Sequence, residues 1–432
     1  MPNMQPFRGW QYDLGNVGAL SNVVAPPYDV IAPELQETLY AHHPHNVIRL
    51  ELTKGEPGDT DQSKYQRAAR LLKDWQQEGV LRAATTPTLY VYHQQYTVDG
   101  QTHVRKGVLA RVRLEPFGQG KVFPHEETLP GPKADRLKLL HATAMNLSPV
   151  FGLYPDPDNA VQQLLDAAVE RTPPLEATDH LGVVNHLWTV TNQHLITQVQ
   201  GLIHDRPVFI ADGHHRYETA LRYRDERLAK EPNLGDEAPC NFILMMLVSM
   251  SDPGLLVLPT HRLITGLPSL TAAQLRQLLE PHFEVSTVGT GTAGMHDCWD
   301  QVSAEEQELL GFGTVADDTW QTARLRDSTL LDQGAADHSP AWRSLAVARL
   351  QVVVLEKLLP EKTRQTPACQ YVHSLPEVRA FMDQRAGQVA ALVPPATKEH
   401  VAQIAGGLEK MPPKSTYFYP KLLTGLVFHS LR

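Results

Sequence analysis

Cysteine is scarce in this chain: three in 432 residues, Cys240, Cys298 and Cys369. They are odd in number and far apart, and no C-x-x-C pair occurs, so neither a zinc site nor a disulfide framework is expected. Reduced, structural thiols fit a cytoplasmic protein. The chain also lacks a basic excess. Its formal net charge is −9, whereas a binder of duplex nucleic acid usually carries clustered positive charge. Nucleic acid is therefore not an expected partner, although net charge leaves room for a local basic pocket. Long apolar runs are missing too. The longest covers residues 242–248, far short of the ~20 residues that span a bilayer, and it reads as a buried strand. The first twenty residues have no apolar segment of the secretory type. No membrane partner is expected. There is no internal repeat, no low-complexity tract and no Gly-x-Ser-x-Gly nucleophile elbow. Lys414-Ser415-Thr416 has no Gly-x-x-x-x-Gly before it, so it is not a P-loop.

What is present is an ordinary globular composition, 42% hydrophobic, with room for two or three domains. Apolar alternation predicts strands at residues 47–52, 150–154, 184–190, 208–211, 241–250 and 255–258. Residues 87–98 and 102–115 read as a hairpin around Asp99-Gly100, a pair that tolerates the positive φ of a type I′ turn. Helical spacing predicts helices at 61–79, 134–145, 158–170, 193–201 and 217–230. After about residue 265 the pattern becomes a weaker alternation of helices (271–280, 342–358, 376–386, 397–405) and strands (283–288, 309–315, 320–325, 388–392). The tail at 417–430 reads as extended. The fold class is α/β (α+β), with a core in residues 1–265 and a C-terminal α/β region in 266–432, whose tail segment 411–421 is a candidate to return to the site.

Five segments concentrate chemistry. The first is Asp212-Gly213-His214-His215-Arg216, where a buried strand meets a glycine turn and then a helix. A helix N-terminus offers unpaired N–H groups and partial positive charge. Glycine admits close approach, and the imidazoles and guanidinium suit phosphate oxygens. Asp212 is placed to hold Mg²⁺ or to orient a histidine. The bland alternative is a capped helix with a solvated turn. The second segment runs from Phe123 to Arg136 and is dense in ionisable groups. His125 with the adjacent Glu126 and Glu127 offers a general base and a metal ligand. Lys133 and Arg136 offer charge against a polyphosphate. An ordinary charged surface loop is the competing reading. The third is Ala25-Pro26-Pro27-Tyr28-Asp29-Val30-Ile31, held extended by its prolines. Arg49 is a cation in an apolar pattern, and it needs either an internal carboxylate or a bound phosphate. The fourth and fifth are Leu258-Pro259-Thr260-His261-Arg262 and residues 411–421, in which Lys414 is a candidate phosphate ligand. A formal Gly-x-Gly-x-x-Gly match at Gly289, Gly291 and Gly294 is followed by a poor helix opening and reads as a flexible loop.

These segments together resemble one family. PPYDVI from residue 26, the H-E-x-T element at His125–Thr128 with its following K-x-D-R, the DGHHR box, PTHR and the closing MPPKSTYFYPK resemble the bacterial domain-of-unknown-function 1015 family. The likeness extends over residues 26–421. That family is similar to the ParB/sulfiredoxin-like group, which includes nucleotide-dependent kinases of free L-serine. The resemblance implies a ParB/sulfiredoxin-like nucleotide-binding core, with Gly213, His214, His215 and Arg216 contacting nucleotide phosphates. It implies Glu126, rather than Glu127, as the base for a substrate hydroxyl. His214 stands where sulfiredoxin needs a cysteine, so sulfinic-acid reduction is disfavoured. The expected function is a phosphotransferase using ATP or ADP with Mg²⁺ on a small hydroxylated substrate, with L-serine as the first candidate. His125, Glu126 and Asp212 would be its catalytic groups, and Asp212 and Glu126 would hold the metal. Gly213, His214, His215, Arg216, Lys133, Arg136, Arg49 and Lys414 would bind the nucleotide. A nucleotide-binding switch without a transferred product is the alternative, and a metal-assisted phosphoesterase using His125, Asp212, His214 and His215 is a third.

Overall fold

The computed structural model describes residues 3–128, 130–327 and 329–432; Leu129, within the ionisable loop, lies outside them. The chain divides into two compact units. The first gathers residues 1–124, 128–256 and 420–432, and the second 125–127 and 257–419.

The first unit is built on a nine-stranded mixed sheet. Along its path run Val122–Phe123, Val208–Asp212, Val150–Tyr154, Phe242–Ser249, Gln101–Arg113, Leu89–Val98, Val184–Val190 and Leu175–Thr178, and Met4–Gln5 adds to Gln101–Arg113. Phe242–Ser249 is buried along its whole length, as its uninterrupted apolar run requires of a central strand covered on both faces. Asp99 and Gly100 have φ of 50° and 76°, the positive values that a type I′ hairpin turn demands. Helices Ala160–Val169 and Gln193–Ile203 place Val161, Leu165, Ile196 and Val199 into one apolar core with Val91, Val108, Ile210 and Met245 of the strands. Helix His214–Lys230 adds Tyr217 and Ala220 to that core. Its Tyr223 joins Leu137 and Leu140 of helix Pro130–Thr143 in a second cluster.

The second unit holds a six-stranded sheet in the order Phe283–Thr290, Thr319–Leu325, Leu309–Thr314, Val389–Leu392, His261–Thr265, Ala368–Val372. Each neighbouring pair is antiparallel. Met295, Cys298, Val302 and Trp320 lie in its core with Phe381 and Leu392. Among the described residues no helix is long and apolar enough to cross a membrane.

Three expectations are corrected. Residues 47–52 are not a strand: Ile48–Glu51 is a helical turn. Buried Asn46 sets it, accepting from Ile48 N at 3.0 Å and donating to Asn22 O and Val24 O. The apolar pattern there satisfies either conformation, because Val47, Ile48 and Leu50 are all fully buried. The glycine match is not a flexible loop. Strand Phe283–Thr290 passes directly into helix Gly291–Ala304. A Cβ on Gly294 would meet the Gly289 carbonyl carbon at 2.5 Å, so the glycines permit close strand–helix contact. The expected helix over 342–358 is three pieces, Pro340–Ser344, Ala346–Arg349 and a π-helical Leu350–Leu358.

Candidate functional site

Strand Val208–Asp212 carries four buried residues and then Asp212 at its end. It pairs with Val150–Tyr154, and the register shifts between Ile210 and Asp212. Such an irregularity re-aims the end of a strand. Gly213 follows at φ 90°, ψ 27° and caps helix His214–Lys230. The helix therefore starts at the first histidine, three residues earlier than the apolar spacing suggested. The left-handed cap favours glycine, and a glycine brings no side chain to occupy the first N–H groups of the helix.

Two cations converge on Asp212. Arg216 Nη2 lies 2.7 Å from Oδ2, one helical turn away, and Lys421 Nζ lies 2.6 Å from Oδ1. Burial alone would raise the Asp212 carboxyl. The charges of Lys421 and Arg216 outweigh it and hold the group well below the usual carboxylate range. Arg216 also donates to Pro149 O. The tail bearing Lys421 is itself fixed: Gln94 Nε2 donates to Lys421 O at 3.0 Å, and Arg105 donates to Pro420 O and to Gln94. Arg105 is fully buried against the Phe151 ring, and burial pulls its guanidinium down to about 10. His214 is buried and His215 half-buried at the helix start.

The other candidates in this unit have partners of their own. Lys133 Nζ reaches Glu218 Oε2 at 2.8 Å, and Thr128 Oγ1 donates to the same oxygen at 2.7 Å. Arg136 is buried, pairs with Asp135 and with Glu51 Oε1 at 3.3 Å, and covers the Tyr28 ring at 4.2 Å. Burial, reinforced by Asp29, pushes the Tyr28 hydroxyl up to about 12. Arg49 lies over the Tyr40 ring at 4.6 Å and donates to Tyr40 O at 2.6 Å, so a ring and a carbonyl take the place of the expected carboxylate or phosphate. Arg136 and Arg216 share the wall of one cavity.

His125, Glu126 and Lys414 belong to the second unit. His125 is buried, with Nε2 2.8 Å from Thr416 Oγ1 and its carbonyl accepting from Met411 N at 2.8 Å. Glu126 is half-buried, and the exposed Glu127 lies 3.3 Å from Lys410. Lys414 is exposed, at φ 57°. Arg262, buried and pulled down to about 10 by burial, donates to the carbonyls of Pro413 at 3.2 Å and Lys414 at 3.0 Å. The PTHR arginine thus braces the K-S-T segment.

Sequence reasoning missed Lys421, Glu51 and Arg105. Lys421 closes the tail segment 411–421, seven residues beyond Lys414. Glu51 and Arg105 sit inside apolar stretches, where no local signal marks a charge as part of a site. Among the described residues no group of three or more His, Cys, Asp or Glu is placed to hold a metal ion, and both Asp212 oxygens are taken by cations. The side chains therefore do not fit a resident metal at Asp212.

With a glycine-capped helix start and two cations on one aspartate, the turn carries net positive charge, which suits an anion chemically. The chain belongs to the family described as a protein of unknown function, DUF1015, whose sequence pattern matches residues 4–348. Among solved structures it is similar to a conserved hypothetical protein from Pyrococcus furiosus, at 12% identity over 72% of this chain and 92% of that one, TM-score 0.34. A free serine kinase in complex with AMP aligns at 11% identity over 69% of this chain and 83% of its own, TM-score 0.33. SbnI from Staphylococcus aureus, truncated at its C-terminus, aligns at 11% identity over 73% and 85%, TM-score 0.34. These likenesses are distant. No curated protein matches the chain.

Proposed function

We propose that the protein is a nucleotide-dependent phosphotransferase acting on a small hydroxylated metabolite, with free L-serine as the first acceptor to test. The observation that carries this reading is the turn at Asp212-Gly213, where Arg216 and Lys421 meet at a helix start capped only by glycine. Phosphate oxygens would face the N–H groups of that helix. Asp212 already has two cationic partners, so the cluster keeps a net positive charge for an incoming polyphosphate. The nucleotide is ATP or ADP, and it brings Mg²⁺ with it. Positioning and charge neutralisation are the main demands of phosphoryl transfer. The acceptor hydroxyl oxygen forms the new bond to the terminal phosphorus while the bond to the bridging oxygen breaks. The hydroxyl proton passes to Glu126, which is assigned as base on the family resemblance of the His125-Glu126 element. The chain released is the nucleotide shortened by one phosphoryl group.

The test is incubation of the purified chain with Mg²⁺ and either ATP or ADP, with and without L-serine, followed by mass spectrometry. Phosphoserine that disappears in Glu126→Gln, with nucleotide binding kept, supports both the activity and its base. Nucleotide binding indifferent to serine and to other hydroxylated metabolites replaces this reading with that of a switch.

A further inference from the structure

Arg216 lines a partly open cavity of about 50 Å³ in the first unit. Four segments of chain form it. Helical turn Ile48–Glu51 brings Glu51, helix Pro130–Thr143 brings Arg136, the residues before strand Val150–Tyr154 bring Ser148, and helix His214–Lys230 brings Arg216 and Thr219. Asn146, whose Oδ1 already accepts from Leu244 N, and leucine, methionine and isoleucine side chains complete the wall.

Its polar groups are incompletely used. The Glu51 and Arg136 side chains are 3% and 7% exposed, yet their closest approach is 3.3 Å. Glu51 Oε1 takes both Arg136 Nη1 and Ser148 Oγ, the latter at 3.2 Å, and among the described residues no donor lies on Oε2. Thr219 is 4% exposed, and its Oγ1 has no hydrogen-bond partner. A buried hydroxyl left without a partner is unfavourable. Arg216 has five N–H donors, and it places Nη1 on Pro149 O and Nη2 on Asp212.

The charges on this wall choose the ligand. A simple anion would meet the Glu51 carboxylate, and a simple cation would meet two guanidinium groups. A molecule bearing both signs on neighbouring atoms meets complementary charge at each end. A cavity of this volume holds about one or two waters, so it accepts a head group rather than a whole metabolite. We propose that the cavity receives the ammonium and carboxylate head of a small α-amino acid. Glu51 takes the ammonium, the arginines take the carboxylate, and Thr219 Oγ1 bonds to the ligand. This deepens the phosphotransferase reading by giving its acceptor a place, and in that respect it rests on that reading.

The experiment is calorimetric titration of the full chain with L-serine, propanoate, ethylammonium and inorganic phosphate, each with and without ADP. L-serine is expected to bind, with propanoate and ethylammonium at least about tenfold weaker, the loss that follows from one missing charged hydrogen bond. Thr219→Val is expected to weaken serine binding by several-fold while the urea midpoint holds. Glu51→Gln is expected to abolish it. If Glu51→Gln fails to fold, Thr219→Val decides. The proposal is overturned if no zwitterion binds, if phosphate or propanoate binds as tightly as serine, or if Thr219→Val binds serine at wild-type strength. Nucleotide binding without serine binding removes the cavity proposal and leaves the phosphate turn. Serine binding without nucleotide binding does the reverse.

Discussion

Replacing Lys421 with Met removes one of the two cations on Asp212 and keeps most of the side-chain volume. The pair is close, 2.6 Å, and both partners are mostly buried, at 15% and 16% side-chain exposure. A hydrogen bond to a charged group contributes about 1.5–3 kcal/mol. Arg216 remains on the other carboxylate oxygen, so the loss is expected within that range rather than at the ~3–5 kcal/mol of a stranded buried charge. The pH dependence gives an independent check. The native Asp212 carboxyl is held low, so its contribution is complete above the unfolded value of about 3.9 and is lost as pH falls through the native value. In Lys421→Met the native value climbs. The stability gap between the two proteins should therefore be largest near neutral pH and should shrink as pH falls through the raised Asp212 value of the variant. Urea denaturation from pH 3 to 7 reads this directly, and Lys421→Arg should recover part of the loss. Equal stability across that range, or a gap that widens on acidification, would refute the argument. The same substitution takes one positive charge from the turn and should weaken nucleotide binding about tenfold, on the scale of one charged hydrogen bond.

Arg216→Ala should weaken nucleotide binding by roughly 1.5–3 kcal/mol, and unchanged binding would place the phosphate site elsewhere. Gly213→Ala forces a side chain into φ 90°, with its Cβ 3.0 Å from the Arg216 guanidinium. It should cost about 1–3 kcal/mol of stability and lower nucleotide affinity together, measured by denaturation and titration on the same sample. His429 is fully buried, and its imidazole is pulled down to about 3 by burial and then by Arg111. The unfolded chain takes up that proton near ~6.5, so stability should fall as pH drops from there towards 3, by about 2 kcal/mol at pH 5. His429→Gln should flatten that slope by up to one proton, and an unchanged slope would show that His429 titrates normally.

Much of the first unit was legible because its strands announce themselves. Residues 208–211 and 242–248 are apolar runs bounded by turn residues, and Asp99-Gly100 permits little besides a tight hairpin. The Asp212 turn was legible for the same reason, since a strand ending at glycine before a helix leaves one local geometry. What escaped depends on contacts far along the chain. Nothing near residue 47 says that Asn46 will hold Asn22 and Val24 and so wind Ile48–Glu51 into a helical turn. Residues 295–300 read as a poor helix opening, yet 295, 298 and 302 carry helical spacing, and the role of the glycines before them is close packing rather than looseness. Lys421 and Asp212 are 209 residues apart, a pairing that no local pattern encodes. Glu51 falls in the alternating stretch 47–52, and nothing local marks it as a carboxylate that ends up 3% exposed.

The closing segment has a consequence for how the protein is made. Residues 420–432 complete the first unit. His429 pairs with Asn146, Phe428 bridges to Trp10, Thr424 bridges to Ala25, and Lys421 reaches Asp212. Roughly 160 residues of the second unit are synthesised before this segment, which at ~5–20 residues per second takes roughly ten to thirty seconds. Throughout that interval the earlier segments of the first unit exist without their last strand, with Asp212 lacking its lysine and Arg105 lacking the Pro420 carbonyl. Nascent first-unit segments would thus wait in an unfinished state while the second unit emerges, and a chain stopped short of residue 420 would carry the DGHHR turn without the lysine that gives it excess positive charge.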